Sequence, residues 1–309
     1  MPVYLRPRRA RRVQLSVPGS SDKMMAKAAA SAADHVFLDL EDAVAPKSKI
    51  AARGQVIAAL RTLDWGGKTR CVRINDLRTR YAYMDIIEVV RGAGDHLDTI
   101  MLTKVMDARD IWFVETLLEG LERDLGLKKA IGIEALIEEV EGLMNVERIA
   151  AASPRLEALV FGMGDYSASQ KMDAKAISSD PGYPGDLWHY ARYKLLIAAR
   201  ANGVDPIDGP FPDIRNLEAY REECRRARML GCAGKWALHP AQIGVALEEF
   251  TPSADVVARA RRIMAAYEEA EAQGVGSIQI DGEMIDAAVV RILRNVLERA
   301  DVAAPGGKS

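Results

Sequence analysis

Eight times along this chain a short β-rich run gives way to a longer stretch with helical periodicity, and nothing else in it restricts the fold so strongly. The β-rich runs fall at 14–17, 35–40, 69–75, 99–105, 130–137, 156–162, 205–210 and 235–239. Between them, stretches such as 48–63, 110–125 and 217–230 repeat apolar residues at helical spacing. Strands joined through helices lie parallel, because a parallel neighbour needs a crossover connection. Eight such units favour a closed barrel over an open doubly wound sheet, and no GxGxxG follows the first run. The expectation is an α/β chain whose residues 1–250 form a (β/α)8 TIM barrel carrying the catalytic groups. A length of 309 residues suits such a barrel with an appendage.

The pattern changes after His239. Residues 254–272 read as a long amphipathic helix, followed by a break at Gly274-Val275-Gly276. A short β-rich piece at 277–280 leads through Asp281-Gly282 into a last helix from about Met284. Residues 251–302 are therefore expected to form a helical extension, either a lid over the chain's own barrel or an arm reaching a neighbouring subunit. Residues 303–309 read as a disordered tail.

Composition narrows the function classes. Apolar residues make up 49% of the chain but aromatics only 6%, so alanine and the aliphatics must build the core. A net charge of −2 provides no global field to recruit nucleic acid or membrane. No apolar run approaches the roughly 20 residues of a membrane helix. Cys71, Cys224 and Cys232 are scattered, without CxxC or zinc spacing, which suits a reduced cytoplasm. The basic start, Arg6, Arg8, Arg9, Arg11 and Arg12, leads straight into the first β-rich run without a signal-peptide apolar core. A solvated arm is the plainer expectation; contact with a ligand phosphate or a neighbouring subunit is the alternative.

In barrels of this kind catalytic groups stand where strands end. Those positions hold Asp39, Glu41 and Asp42 after the second run, and Arg73 and Asn75 at the third. Lys104, Glu138, Asp165, Asp208 and His239 follow at the fourth to eighth. Several carboxylates around one mouth repel each other unless a cation sits among them. Oxygen donors without paired His or Cys point to Mg²⁺, or Mn²⁺, with Glu138 and Asp165 as the expected direct ligands. Arg73 needs an anionic partner inside a barrel, and a ligand oxygen and a fixed pair with Glu41 or Asp42 can both serve at once. Lys104 is open to reading as a Schiff-base nucleophile or as a charge anchor. Glu134 shares a strand face with Glu138 and is expected to be paired deeper in the barrel. His239 also reads as a helix-start residue before Pro240.

The same residues carry a resemblance. Val17-Pro18-Gly19-Ser20, Phe37-Leu38-Asp39-Leu40-Glu41-Asp42-Ala43-Val44, Val72-Arg73-Ile74-Asn75, Leu136-Ile137-Glu138, Ala158-Leu159-Val160-Phe161-Gly162 and Trp236-Ala237-Leu238-His239-Pro240 occur in that order. Together they resemble the citrate lyase β-subunit-like branch of the HpcH/HpaI aldolase family. Within it, the segment from Tyr183 to Arg192 and Gly282-Glu283-Met284-Ile285-Asp286 look most like malyl-CoA and β-methylmalyl-CoA lyases. The resemblance implies a TIM barrel, a homotrimer or homohexamer, Mg²⁺, and a CoA thioester cleaved to a glyoxylate-type keto acid. By the same resemblance Glu138 and Asp165 hold the metal, Glu41 and Asp42 stand near its waters, and Arg73 meets the reacting oxygens. Lys27, Gly164, Leu238 and His239 fall with the substrate- and CoA-binding positions, and Asp286 with an acid that covers a neighbour's active site. Thr103-Lys104 stands where relatives often have Pro-Lys, and Glu139-Val140 where many have Thr-Ala. Citramalyl-CoA or citryl-CoA lyase, malyl-CoA thioesterase and a non-catalytic CoA-binding subunit are the alternatives.

Overall fold

Strands that are buried on both faces need helices outside them and packed side chains within. The computed structural model, which describes residues 4–177, 182 and 185–303, meets both needs. The strands are β1 (Val13–Pro18), β2 (His35–Asp39), β3 (Thr69–Arg73), β4 (Thr99–Leu102), β5 (Gly132–Ile137), β6 (Leu156–Phe161), β7 (Asp205–Asp208) and β8 (Gly234–Ala237). They pair in parallel in chain order, and β8 closes on β1 through Gln14↔Trp236. All eight lie at the expected places. Several stop early, as β3 does at Arg73 and β4 at Leu102, so the polar residues beyond them belong to loops over the mouth.

Strand alternation sorts the interior into layers. A middle layer is apolar: Phe37, Cys71, Met101, Leu136, Val160 and Trp236 pack together. Below it lies a polar floor centred on Glu134. Its carboxylate accepts from His35 Nε2 at 2.9 Å, Thr99 Oγ1 at 3.0 Å, Gln14 Nε2 at 3.2 Å and Arg11 Nη2 at 3.3 Å. Burial alone would raise the Glu134 carboxyl, but His35 and Arg11 hold it far below the usual carboxylate range. Glu134 is thus paired deep in the barrel, as its spacing predicts.

The basic start is not a solvated arm. Arg11 is buried and bridges Glu134, Glu157 and Asp205, Arg9 binds Glu157, and Arg12 grips Asp34 with Nη2 at 2.6 Å. The buried acids near the starts of β5 and β6, and the half-buried one that opens β7, need cations, and the arm supplies them.

The long helix Ala254–Ala272 forms as expected. The last helix begins at Ala287 rather than near Met284, because residues before it form a hairpin of β9 (Ser277–Ile280) and β10 (Glu283–Asp286). Asp281 and Gly282, with φ of 53° and 82°, make the tight left-handed turn that an Asp-Gly pair favours between strands. Ile263, Tyr267, Ile285 and Val290 give the hairpin and its two helices a small core of their own. Ala303, expected in the tail, ends the last helix, and 304–309 lie outside the described residues. Among the described residues no helix is long and apolar enough to cross a membrane.

Candidate active site

The top layer of the barrel interior holds Asp39, Arg73 and Glu138, each in phase with the apolar layer below. Asp39 and Arg73 are register partners at the ends of β2 and β3. Their side chains meet as a two-point ion pair, Nε to Oδ1 at 2.8 Å and Nη2 to Oδ2 at 2.6 Å. The expected pair with Glu41 forms only at 3.5 Å, to Nη1, Asp42 makes no ion pair with Arg73 among the described residues, and Asp39 is the closer partner. The reason is geometric, since a lateral neighbour in register presents its carboxylate flat against the guanidinium fork. Asp39 also accepts the backbone N–H groups of Glu41 and Ala43, at 2.8 and 3.0 Å, which pins the loop above β2. Below, the guanidinium centre lies 5.6 Å from the Phe37 ring and 5.2 Å from the Trp236 ring. Salt bridge and aromatic floor together leave Arg73 one orientation.

Lys104 follows β4 in the left-handed region, with φ of 50°, an uncommon conformation for a side-chain-bearing residue. That turn aims its backbone N–H at Glu138 Oε1, 2.9 Å away, and its ammonium at Glu41 Oε1, 2.6 Å away. Asp42 Oδ2 is 3.8 Å from the same ammonium and otherwise exposed. Partial burial opposes the charge on Lys104, but Glu41, Glu138 and Asp165 raise its pKa above the ordinary value. With its ammonium gripped by Glu41, Lys104 makes the contact expected of a charge anchor.

Glu138 is buried, and desolvation pushes its carboxyl well above the usual range, with Asp165 adding to the rise against Lys104 and Arg73. Burial raises Glu41 too, against the same two cations. Asp165 stands half-buried in the first turn of the helix Met163–Ser169, just after β6. Gly162 precedes that helix, and a Cβ there would come within 2.5 Å of Glu138 Cβ and 2.7 Å of its Oε2. The glycine is what lets Glu138 stand upright beside β6. Gly164, next to Asp165, is exposed.

These groups suit a divalent cation. The carboxylates of Glu138, Asp165 and Glu41 outnumber the cations that reach them, burial disfavours the charge of Glu138 and Glu41, and every donor is an oxygen. Elsewhere among the described residues, His35, Cys71 and Glu134 bring ligand-type atoms within 4.8 Å of one another. Cys71 belongs to the apolar layer, and in the floor below it Glu134 is already bound by His35 and Arg11.

Other expected site residues lie apart. Asp208 is consumed in a buried network with Arg192 and Lys235, at 2.7 and 2.6 Å. His239 caps the start of its helix, its Nδ1 accepting from Ala241 N–H at 3.2 Å, while Leu238 beside it is exposed. Lys27 is exposed in the last turn of the helix Asp22–Ala29. Asp286 caps the last helix, Oδ1 accepting from the N–H groups of Ala288 and Val289, both at 3.0 Å. The structure thus brings together Glu41, Arg73, Lys104, Glu138 and Asp165. Within one chain no hydrogen bond or ion pair among the described residues joins Lys27 or Asp286 to them. Of the lyase-like segment before Arg192, Tyr183 and Pro184 lie outside the described residues.

Comparison with known proteins places this arrangement in a context. Residues 12–240 match the family described as HpcH/HpaI aldolase/citrate lyase. The L-malyl-CoA/β-methylmalyl-CoA lyase of Cereibacter sphaeroides is 42% identical over 306 residues, which cover 96% of each chain. A (3S)-malyl-CoA thioesterase of the same species is 33% identical over 299 residues, again covering 96% of each. Among solved structures, protein CitE of Mycobacterium tuberculosis in complex with magnesium, acetoacetate and coenzyme A superposes with a TM-score of 0.74. It is 30% identical, over 93% of this chain and 97% of that one.

Proposed function

Because the chain belongs to the HpcH/HpaI aldolase/citrate lyase family, we propose that it is a carbon–carbon lyase of hydroxyacyl-CoA thioesters. Its substrate on this reading is L-malyl-CoA or β-methylmalyl-CoA, cleaved reversibly to glyoxylate and acetyl-CoA or propionyl-CoA. One observation carries the proposal: Arg73 and an excess of buried carboxylate meet at the mouth of a barrel that resembles such lyases along nearly its whole length.

Glu138 and Asp165 would hold Mg²⁺, and the same oxygen donors fit Mn²⁺. When bound, the ion supplies Lewis-acid polarisation of the substrate hydroxyl and carboxylate. Glu41, with Asp42 beside it, stands where it can orient water around that charge, and Lys104 keeps Glu41 from turning away. In cleavage the hydroxyl proton leaves to a base, and the electrons of the broken carbon–carbon bond pass into a thioester enolate. Arg73 keeps Nη1 turned from Asp39, and so offers a fixed positive edge to oxygen charge as it develops. Asp286 would deliver the proton to the enolate carbon, or remove it in the condensing direction, from a neighbouring subunit.

On this reading residues 1–250 are the catalytic barrel of a cytoplasmic homotrimer or homohexamer, and 251–302 are the covering segment. Gly164, Lys27, Leu238 and His239 lie along the path assigned to the CoA moiety. The likeness to the thioesterase supports a second reading, in which water attacks the thioester instead. Incubating the purified protein with Mg²⁺ and malyl-CoA separates the two. Glyoxylate with acetyl-CoA supports the lyase, malate with free CoA the thioesterase, and turnover undiminished by EDTA would overturn the metal role of Glu138 and Asp165.

A further inference from the structure

At the opposite end of the barrel from the acid cluster lies a cavity of about 600 Å³. It opens where the chain enters β1, β7 and β8, and the last helix lies across it through Ile292, Asn295, Glu298 and Arg299. Eight arginines line it, against only three carboxylates, those of Glu157, Asp205 and Glu298. Those carboxylates are committed. Glu157 serves Arg9 and Arg11, Asp205 is shared between Arg11 at 3.2 Å and Arg200 at 3.7 Å, and Glu298 is 3.9 Å from Arg8.

Four guanidiniums are left short of charge: Arg6, which has only the backbone carbonyls of Ser153, Pro154 and Asn202, and the group Arg200, Arg228 and Arg299. Arg299 has no ion pair or hydrogen bond among the described residues, and its Nε is buried without a partner. Arg228 likewise has a buried, unpartnered Nε, and its one acid, Glu249 at 3.9 Å, already binds Arg221 and Arg225. Arg200 gives one Nη to the Gly231 carbonyl at 2.6 Å and keeps only the long contact to Asp205. Burial lowers Arg299 below the ordinary arginine value, and the positive fields of Arg228 and Arg200 lower it further, as expected if the three converge.

We propose that this cavity binds a small anion bearing two or more phosphoryl groups, gripped by Arg200, Arg228 and Arg299. The three side chains are half-buried to exposed, but the Nε atoms of Arg228 and Arg299 are buried without partners, and the positive field of a cleft lined by uncompensated guanidiniums draws an anion. Guanidinium forks match phosphate oxygens two by two, and three of them match an anion of more than one charge. The volume is within the range of small-molecule sites, and Met229, Phe250 and Ile292 offer apolar wall for a group attached to the phosphates. The proposal is independent of the reaction at the other end of the barrel.

Titration calorimetry with inorganic pyrophosphate, in EDTA and without divalent metal, tests it on the full chain. One site per chain is expected, weakening by about tenfold or more in Arg228→Ala/Arg299→Ala and unchanged in Arg73→Ala. ADP titrated in the same way into wild type and double variant separates sources: binding tighter than pyrophosphate and weakened with the arginines marks a nucleotide, equal or weaker binding a free polyphosphate. Without anion the double variant should melt at or above the wild type, since it loses mutually repelling cations. With pyrophosphate only the wild type should gain. Arg299→Gln, which keeps the stem and a polar end, carries the test should the double variant fold poorly. Absence of pyrophosphate binding to the wild type, equal binding by the variants, or its loss in Arg73→Ala would overturn the proposal.

Discussion

Arg73 shows how a single side chain comes to have one available direction. Asp39 takes two of its nitrogens and two aromatic rings lie below it, so only the Nη1 edge faces the mouth. Arg73→Lys keeps the charge but cannot span both Asp39 oxygens. We expect kcat to fall by about a hundredfold with KM little changed, and a near wild-type rate would make Arg73 a purely structural residue. Gly162→Ala probes the other wall. Its methyl group must displace Glu138, so the apparent Mg²⁺ affinity should drop by roughly tenfold or more, read by metal titration of activity, while circular dichroism stays native. The sequence made Arg73, Glu138, Glu41 and Asp165 legible, because charged residues at strand ends stand out against apolar runs. It hid the Asp39 partnership and the need for Gly162, because both depend on which residues of neighbouring strands lie side by side.

Elements are held by different means at their two ends. At the start of β4, Asp98 accepts from the backbone N–H and Nε of Arg70, both at 2.9 Å, and from Lys129 Nζ at 2.5 Å. Burial would raise its carboxyl, but these partners lower it from 3.8 to about 2. A depressed carboxyl stabilises the fold above its unfolded pKa and loses that contribution as pH falls through the folded value. Unfolding free energy should therefore decline by about 2 kcal/mol on this account between roughly pH 4 and 2, and urea titrations of Asp98→Asn should lack that part of the decline. The strand-and-helix order was legible because period 2 and period 3.6 alternate so regularly. Of the hairpin before the last helix, the first strand is legible at 277–280, but the second reads as the start of the helix, because four residues leave too short a pattern and the Asp281-Gly282 turn is the remaining signal.

For the whole molecule, the role proposed for Asp286 requires a neighbouring subunit. In one chain it caps its own helix, which an asparagine does equally well, so Asp286→Asn should leave the extension folded and bind substrate almost normally while losing most of kcat. Mixed with inactive Arg73→Ala under conditions of demonstrated subunit exchange, it should regain activity in proportion to the mixing ratio. Exchange without recovery would place Asp286 within its own chain's site or outside the chemistry. The clasp formed by Arg11 has a consequence for how the chain is made. Arg11 leaves the ribosome early, yet Glu134, Glu157 and Asp205 follow it by 123, 146 and 194 residues. A nascent chain therefore lacks every one of these partners until β5 is synthesised and lacks the full set until β7 is, so the clasp closes completely only on a nearly finished barrel. Arrested chains ending before residue 200 should remain open to protease, with resistance appearing abruptly once β7 and β8 have emerged.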